Sequence, residues 1–369
     1  MHPKLLRTPA NQSNDKTRLR ILPKSALIRP ERVQIYRIAL LIIASVPVGL
    51  MPQSVGAENF QASGFSMRNH APFSALIGIP NGWPDGTDHS AELSWNTSNH
   101  SMRAVSGDEL LMLDGETQTL SVRIQKRLFS RIQLGIEIPW LQHSGGYMDD
   151  FIDDWHDLFG LPEGIRPQTP DNDLMYAYEK NGVQLFQFEQ SASGFGDIQL
   201  AMGLDLGTIG KSGSSSYLSR LPWHLKFNLK LPTGDIEKLT GSGNVDVAVG
   251  LGVRSPVDSK IDWWLDAGVV WPGDVDIVGL DSSSQIYYYN GAVAWRLLVK
   301  LDVLLQLAGH TSLYDTNVTM LGEPAMQVGV GAMWHVSEKY AMRFGFFEDL
   351  IAESAPDFGI EMAVIFKRF

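Results

Sequence analysis

An acidic cluster is the first part of the sequence whose residue types could bind a ligand. Between Met148 and Pro162, apolar residues recur at helical spacing, and Gly160 and Pro162 end the pattern. This predicts a short amphipathic helix with one acidic face, formed by Asp149, Asp150, Asp153, Asp154 and Asp157. Carboxylates one helical turn apart can converge on Ca²⁺ or Mg²⁺, although no calcium-loop spacing is present. A solvated acidic surface is the alternative interpretation.

The same stretch contains residue types that hydrolases use. His143, Ser144 and His156 lie near these aspartates in sequence and could supply a nucleophile and a base. No nucleophile-elbow motif surrounds Ser144. A surface hydrolase is therefore one hypothesis for this chain, with no catalytic residue assigned.

The elements that must position these residues are β-strands. In Trp223–Leu231, apolar and polar side chains alternate, so Leu225 and Phe227 share one face and Lys226 the other. Similar alternation recurs along the chain and predicts twelve strands, near residues 91–96, 120–125, 132–138, 197–206, 223–231, 245–254, 261–271, 286–296, 300–310, 324–336, 339–348 and 357–368.

An export signal precedes the strands. The segment 38–51 is apolar and uncharged, is too short to span a bilayer as a helix, and follows Arg32 and Arg37. It predicts a signal peptide with a long n-region over residues 1–57, cleaved after Ala57; a single membrane anchor is the alternative. The net charge of −11 becomes −18 after Ala57, which argues against nucleic-acid binding. Without cysteine, the chain has no disulfides and no thiolate metal site.

Many alternating segments behind an export signal predict an all-β fold: a transmembrane antiparallel up-and-down β-barrel of about twelve strands over residues 88–369. Apart from the long connection at 207–219, the connections alternate between short and long, as in outer-membrane barrels with external loops. The acidic helix falls in the longest of these loops, where it could cover the barrel mouth. Residues 58–87 predict an irregular segment that could partly plug the barrel. A soluble β-sandwich has the same periodicity and is the alternative fold.

The two faces of the strands predict two sets of functional residues. The lumen-lining candidates are Lys226, Lys230, Asp246, Arg254, Asp262, Asp266, Arg296, Asp302, Arg343 and Glu361. We expect these charges to pair across a modest lumen and to leave at most a narrow path. The aromatic girdle candidates, at the membrane interfaces, are Trp95, Trp140, Trp223, Trp263, Trp271, Trp295, Trp334 and Tyr340.

Several motifs carry a family resemblance. Residues 193–197 (SGFGD), 231–235 (LPTGD) and 241–246 (GSGNVD) resemble barrels associated with the phenol meta-pathway. A closer resemblance, over residues 65–369, is to an uncharacterised Gram-negative outer-membrane barrel family, domain of unknown function 3187. Its motifs here are 68–72 (RNHAP), 113–117 (LDGET), 143–146 (HSGG) and 153–162 (DDWHDLFGLP). The resemblance implies an outer-membrane barrel and no assigned activity.

Three functions follow as hypotheses. The first is a narrow channel or binding barrel in the Gram-negative outer membrane. Its ligand would be a small solute, and an apolar solute is one option. The second is a sealed structural barrel, and the third is the surface hydrolase. The expected partners are outer-membrane lipid, the barrel assembly machinery and a small solute; the only cofactor considered is a divalent cation at the acidic helix.

Overall fold

The computed structural model describes residues 62–82, 89–159, 172–208, 221–255, 261–275, 277, 279–350, 355–356 and 358–367. The predicted signal peptide and its cleavage site lie outside these residues, as do residues 58–61 and 83–87 of the predicted irregular segment. Within the described residues, no helix has the length and apolarity needed to cross a membrane.

One antiparallel sheet contains the fifteen strands of the described residues. They are β1 (His89–Ser106), β2 (Glu109–Phe129), β3 (Ile132–Ser144), β4 (Met175–Lys180), β5 (Val183–Phe188), β6 (Ala192–Phe195), β7 (Ile198–Thr208), β8 (Pro222–Leu231), β9 (Asp246–Arg254), β10 (Ile261–Trp271), β11 (Ile286–Leu298), β12 (Leu301–His310), β13 (Ala325–His335), β14 (Tyr340–Asp349) and β15 (Phe358–Lys367). The helices are α1 (Asp149–Phe159) and α2 (Thr319–Gly322), with short 3₁₀ turns at Ser74–Leu76 and Ile236–Lys238.

The sheet closes on itself as a twelve-stranded barrel. Strand β1 pairs with both β2 and β15, and the additional pairing of β2 with β3 completes the ring. Strands β4, β5 and β6 are not part of the ring; they extend it above β2 and β3. The predicted strand number is confirmed, and closure of one continuous sheet excludes the two-sheet sandwich.

The outer surface of the barrel is apolar and exposed. Leu93, Val122, Leu251 and Leu265 are each more than 40% exposed on outward positions. Inward neighbours such as Asp246 are buried. A protein in water rarely exposes so continuous an apolar surface, whereas a barrel in lipid requires one. The fold is therefore a transmembrane β-barrel.

The two rims differ. One rim carries short connections such as 130–131, 299–300 and 336–339 and is called the turn end. The opposite rim carries the long connections, α2 and β4–β6 and is called the loop end. The predicted strands near 91–96 and 120–125 leave residues 99–116 as a long loop at this rim. In the structure these residues instead continue β1 and β2, which turn at Gly107, where φ is +63°. The loop prediction was wrong because the inward residues there remain apolar and pack beneath other loops.

A second hairpin at the loop end turns at an Asn-Gly pair. Strands β4 and β5 meet at Asn181 and Gly182, whose φ values of 54° and 71° give the left-handed pair that an Asn-Gly turn requires. This hairpin adds to the extended part of β2, because Glu109–Asp114 pair with Met175–Lys180.

Residues Ala62–Gly82, called the plug, run through the barrel interior. Ala62 lies near the turn end beside Arg254 and Asp262. The chain rises to the loop end, where the Phe73 carbonyl accepts a hydrogen bond from Tyr314. It then turns back, and Asn81 lies beside Lys226 at mid-height. The plug is therefore an inverted U that occupies the lumen.

An apolar cluster closes the loop end over the plug. The cluster joins the tip of the plug to four other elements of the loop end. They are the inner side of the extended β1–β2 hairpin, the β4–β5 hairpin, residues Val275, Ile277 and Leu280, and segment 313–321. We call these four elements the cap. The cluster includes Phe73, Leu76, Ile77, Met102, Leu111, Leu113, Tyr176, Tyr178, Phe188, Leu280, Leu313, Tyr314 and Leu321. The cap, rather than α1, covers the mouth.

Candidate functional site: the plugged lumen

The ten lumen-lining candidates lie on the inner wall, where each contributes to an ion pair. Lys230 binds Asp197 at 2.9 Å and Asp246 at 3.2 Å, and Lys226 lies 3.7 Å from Asp266. The remaining pairs are Arg254–Asp262, Arg296–Asp302 and Arg343–Glu361. These pairs join strands that are adjacent or one strand apart. From the sequence we expect the charges to pair across the lumen, but the plug occupies the barrel axis and the pairs lie along the wall instead.

A larger charged network surrounds the plug at mid-height. Arg343 binds Glu361 at 2.6 Å and Glu92 at 2.8 Å, and Arg123 binds Glu137 at 3.0 Å and reaches Glu92 at 3.4 Å. The wall thus brings three carboxylates to two guanidinium groups. Arg68 of the plug supplies the third guanidinium through its ion pair with Glu137.

Three members of this network were not among the predicted site residues. Glu92, Arg123 and Glu137 lie on the polar side of the predicted alternation, so the periodicity that identified the other candidates could have included them. No sequence pattern pointed to Arg68 as their partner, because that pairing depends on where the plug enters the barrel.

The plug also makes polar contacts with neutral side chains of the wall. Gln306 accepts a hydrogen bond from the Phe65 amide at 2.7 Å and donates one to the Phe65 carbonyl at 3.3 Å. Asn69 and His310 lie 3.1 Å apart, and Asn81 donates to Glu137 at 2.9 Å. The wall thus satisfies several of the polar groups that the plug buries.

An apolar cluster lies on one side of the lumen, among the charged residues of the same strands. Phe65 and Met67 of the plug pack with a cluster on β10–β15: Trp264, Ala292, Ala294, Leu304, Ala308, Met333, Ala341, Phe347 and Ile365. Between this cluster and the apolar cap lies a small cavity of about 10 Å³, bordered by Met67, Ile79, Tyr288, His310 and Gln327 among others. That volume is about enough for one water molecule.

Helix α1 lies against the outer wall. Met148 and Ile152 are buried against Phe358, and Asn99 donates to Asp149 at 3.0 Å. Glu116 accepts hydrogen bonds from the amides of residues 147 and 148. The expectation that this helix covers the barrel mouth was wrong, since its apolar face packs on outward side chains of β14 and β15.

Neighbouring groups of the protein already engage one of the acidic residues of α1. Both carboxylate oxygens of Asp149 accept hydrogen bonds, from Asn99 and from the Asn172 amide at 2.7 Å. Nowhere in the described ranges do three His, Asp or Glu side chains gather as a metal site would require. Cation binding at Asp149, Asp150, Asp153, Asp154 and Asp157 stays a prediction.

His143 lies three residues beyond Trp140, outside the membrane-spanning part of β3, and is fully buried. Its two ring nitrogens lie 3.0 Å from the Thr117 hydroxyl and 3.1 Å from the Leu239 carbonyl. Burial lowers the pKa of His143 to about 4, against a smaller opposing effect of the Leu239 hydrogen bond. Because both nitrogens are engaged and solvent does not reach them, His143 has the environment of a packed core residue. The side chain of His156 lies outside the described part.

The eight girdle candidates lie on outward positions. Trp271, Trp334 and Tyr340 are the most exposed of them, at 42–53%. The candidates near the turn end are Trp223, Trp263, Trp295, Trp334 and Tyr340, and the others, Trp95, Trp140 and Trp271, lie further towards the loop end. Amphipathic rings at both levels are what a lipid-spanning barrel places in the headgroup zones.

The Gly- and Asp-rich motifs converge on one residue at the loop end. Asp197 accepts hydrogen bonds from the Gly234 amide at 2.9 Å and the Ser242 amide at 3.0 Å, and it also binds Lys230. A side chain at Gly241 would overlap both Asp197 and Gly234. The three motifs therefore form one structural turn cluster, with Asp197 as its centre.

Together, the apolar exterior, the charged interior and the internal segment define a transmembrane β-barrel closed by its own chain. This chain belongs to the DUF3187 family of proteins of unknown function, whose model matches residues 38–368. The resemblance found in the sequence is thereby confirmed. No curated protein matches the chain in sequence. The family description names no activity, so the lumen itself has to indicate the function.

Three solved structures with a similar fold are distant from this chain in sequence. The COG4313 outer membrane channel from Pseudomonas putida F1 is 11% identical with a TM-score of 0.48, covering 79% of this chain and 97% of that chain. The KdgM porin is 9% identical with a TM-score of 0.39, covering 76% and 99%. The Ralstonia pickettii toluene transporter TbuX is 9% identical with a TM-score of 0.35, covering 88% and 100%.

Proposed function

We propose that this protein is an outer-membrane channel that its own plug closes at rest and that admits a small, largely apolar solute. The observation that carries the proposal is the plug itself: hydrogen bonds and ion pairs hold it in the lumen, and no disulfide does, since the chain has no cysteine. Such contacts can be exchanged for others without breaking the barrel.

The lining of the lumen indicates the class of solute. A shift of the plug away from β10–β14 would expose apolar side chains such as Ala292, Leu304 and Met333 next to polar ones such as Gln306, Asp302 and Arg343. A lining of apolar side chains with polar groups among them is typical of sites for small molecules, and it supports a solute that is apolar over much of its surface. The apolar exterior supports outer-membrane lipid as the surroundings and the barrel assembly machinery as the insertion route.

A sealed structural barrel is the second candidate, and the closed lumen favours it directly. The hydrolase is disfavoured, because His143 is buried away from solvent, with its ring nitrogens against the Thr117 hydroxyl and the Leu239 carbonyl. The channel and the sealed barrel differ in one respect, which is whether the plug moves.

A reversible crosslink tests whether the plug moves. The Ser63 hydroxyl faces the Met333 sulfur at 3.8 Å, so Ser63→Cys and Met333→Cys would place two thiols for a short, reducible bis-thiosulfonate reagent in a chain without other cysteines. We expect crosslinking to abolish uptake of a hydrophobic fluorescent probe by cells and channel openings in planar bilayers, and reduction to restore both.

The two single-cysteine variants, treated with the same reagent, are the matched controls and should behave as wild type. Unchanged uptake after complete crosslinking would contradict the proposal. A wild-type protein that shows neither uptake nor openings in any state would favour the sealed barrel.

A further inference from the structure

The wall holds the plug largely by its main chain. Three buried cationic side chains of the wall donate hydrogen bonds to plug carbonyls. Arg254 binds the Ala62 carbonyl, Lys230 binds the Leu76 carbonyl at 2.8 Å, and Lys226 binds the Asn81 carbonyl. Each of these cations also pairs with a wall carboxylate, so each one links the main chain of the plug to the charged network of the wall.

Wall carboxylates make the complementary contacts with plug amides. Asp262 accepts from the Ala62 amide at 3.2 Å, Glu361 from the Ser66 amide at 2.6 Å, and Asp246 from the Gly78 amide at 2.7 Å. Together with Gln306 on both polar groups of Phe65, these side chains recognise peptide groups. Any extended polypeptide presents the same peptide groups.

A few positions of the plug are recognised by shape or charge. A Cβ atom at Gly64 would lie 2.6 Å from the Trp264 ring, and one at Gly78 would lie 2.9 Å from the Lys230 Cβ. Arg68 lies between these glycines and balances Glu137. The wall thus selects small residues at two points and one cation between them.

We propose that the lumen is a binding site for a linear peptide that folds back on itself as the plug does, and that the plug is its tethered ligand. The class of ligand is a peptide without acidic residues, rich in small and apolar side chains, with one arginine between two glycines. This inference goes beyond the proposed solute and rests on the proposed movement of the plug, because a free peptide can bind only if the plug leaves the lumen.

Peptide exchange after proteolysis tests the inference. A protease site inserted between Gly82 and His89 allows the plug to be cut from the assembled full-length barrel in detergent. A fluorescent peptide of sequence 62–82 should then bind saturably, measured by anisotropy and co-elution. The uncut protein is the control and should not bind.

Two altered peptides test the recognition. The peptide with Gly64→Val should bind on the order of tenfold or more weaker, because the wall has no room for the side chain. The peptide with Arg68→Ala should also bind more weakly, because Glu137 loses a cation. Equal binding of all three peptides would overturn the assigned recognition.

Failure of exchange would overturn the inference itself. If the cut protein exchanges no peptide, even when its resident plug is loosened by Arg68→Ala, the plug is a permanent part of the core. The Ser63–Met333 crosslink separates this result from the proposed function. If the crosslink blocks uptake but no peptide exchanges, the plug still acts as the gate of a channel, and only the proposed peptide-binding site is refuted.

Discussion

The most consequential single residue in the lumen is Arg68. The wall network of Glu92, Glu137 and Glu361 contains one more carboxylate than the guanidinium groups of Arg123 and Arg343 can match. All of these groups are shielded from water to a large degree. A buried charge without a partner is costly, so the network favours the state in which Arg68 is present.

Substitution of Arg68 should open the barrel. We expect Arg68→Ala to destabilise the closed state by about 3–5 kcal/mol, the usual cost of removing one partner from a buried ion pair. Single-channel recording would show more frequent openings than in wild type. The double variant Arg68→Ala with Glu137→Gln removes both charges and should recover part of the loss; an Arg68→Ala protein that stays as closed as wild type would contradict this account.

At the scale of elements, the cap is the part of the fold that closes the loop end. Glu109, at the tip of the extended β1–β2 hairpin and outside the membrane, ties the cap together. It binds Lys180 of β4 at 2.8 Å and accepts a hydrogen bond from the Asn317 amide at 3.1 Å. Thr316 also donates to it. A single carboxylate therefore joins three elements of the cap.

The cap should loosen in acid. Burial raises the pKa of Glu109, but the hydrogen bonds from Lys180, Thr316 and Asn317 outweigh burial and hold it below its ordinary value of 4.5. A carboxylate with a lowered pKa contributes stability above its unfolded pKa and loses it as the pH falls through the folded one. The protection of amides in β4 and β5, expressed relative to the intrinsic exchange rate at each pH, should therefore fall below about pH 4.5. Glu109→Gln should remove much of this pH dependence, and an unchanged profile in that variant would count against the role of Glu109.

At the scale of the whole molecule, the apolar exterior decides where the protein can exist. Leu251 and Val105 are both outward and exposed, at 43% and 60%. Leu251 lies in the middle of β9, at the level of the lipid chains, whereas Val105 lies at the far end of β1, above the membrane. Surface exposure is similar at the two sites, but the surroundings differ.

A pair of arginine substitutions tests this difference. Leu251→Arg should destabilise the barrel by about 2–4 kcal/mol, the cost of a cation near the bilayer midplane. Val105→Arg should change stability by only about 0.5 kcal/mol or less, as at a water-exposed surface. Unfolding in bilayers, followed by the mobility of unheated samples on gels, measures both. Equal effects of the two substitutions would be inconsistent with a membrane-spanning exterior.

The strand pattern was determined by the sequence alone, because the two faces of a strand differ in polarity and the period of two is visible residue by residue. Lys226 against Leu225 is enough to orient β8, and the Asn181-Gly182 turn is fixed by local backbone conformation. The ion-pair partners, the course of the plug and the position of α1 were decided only by the tertiary structure. Those features depend on contacts between residues far apart in the chain, such as Arg68 with Glu137, and no local pattern records which distant residue will be opposite.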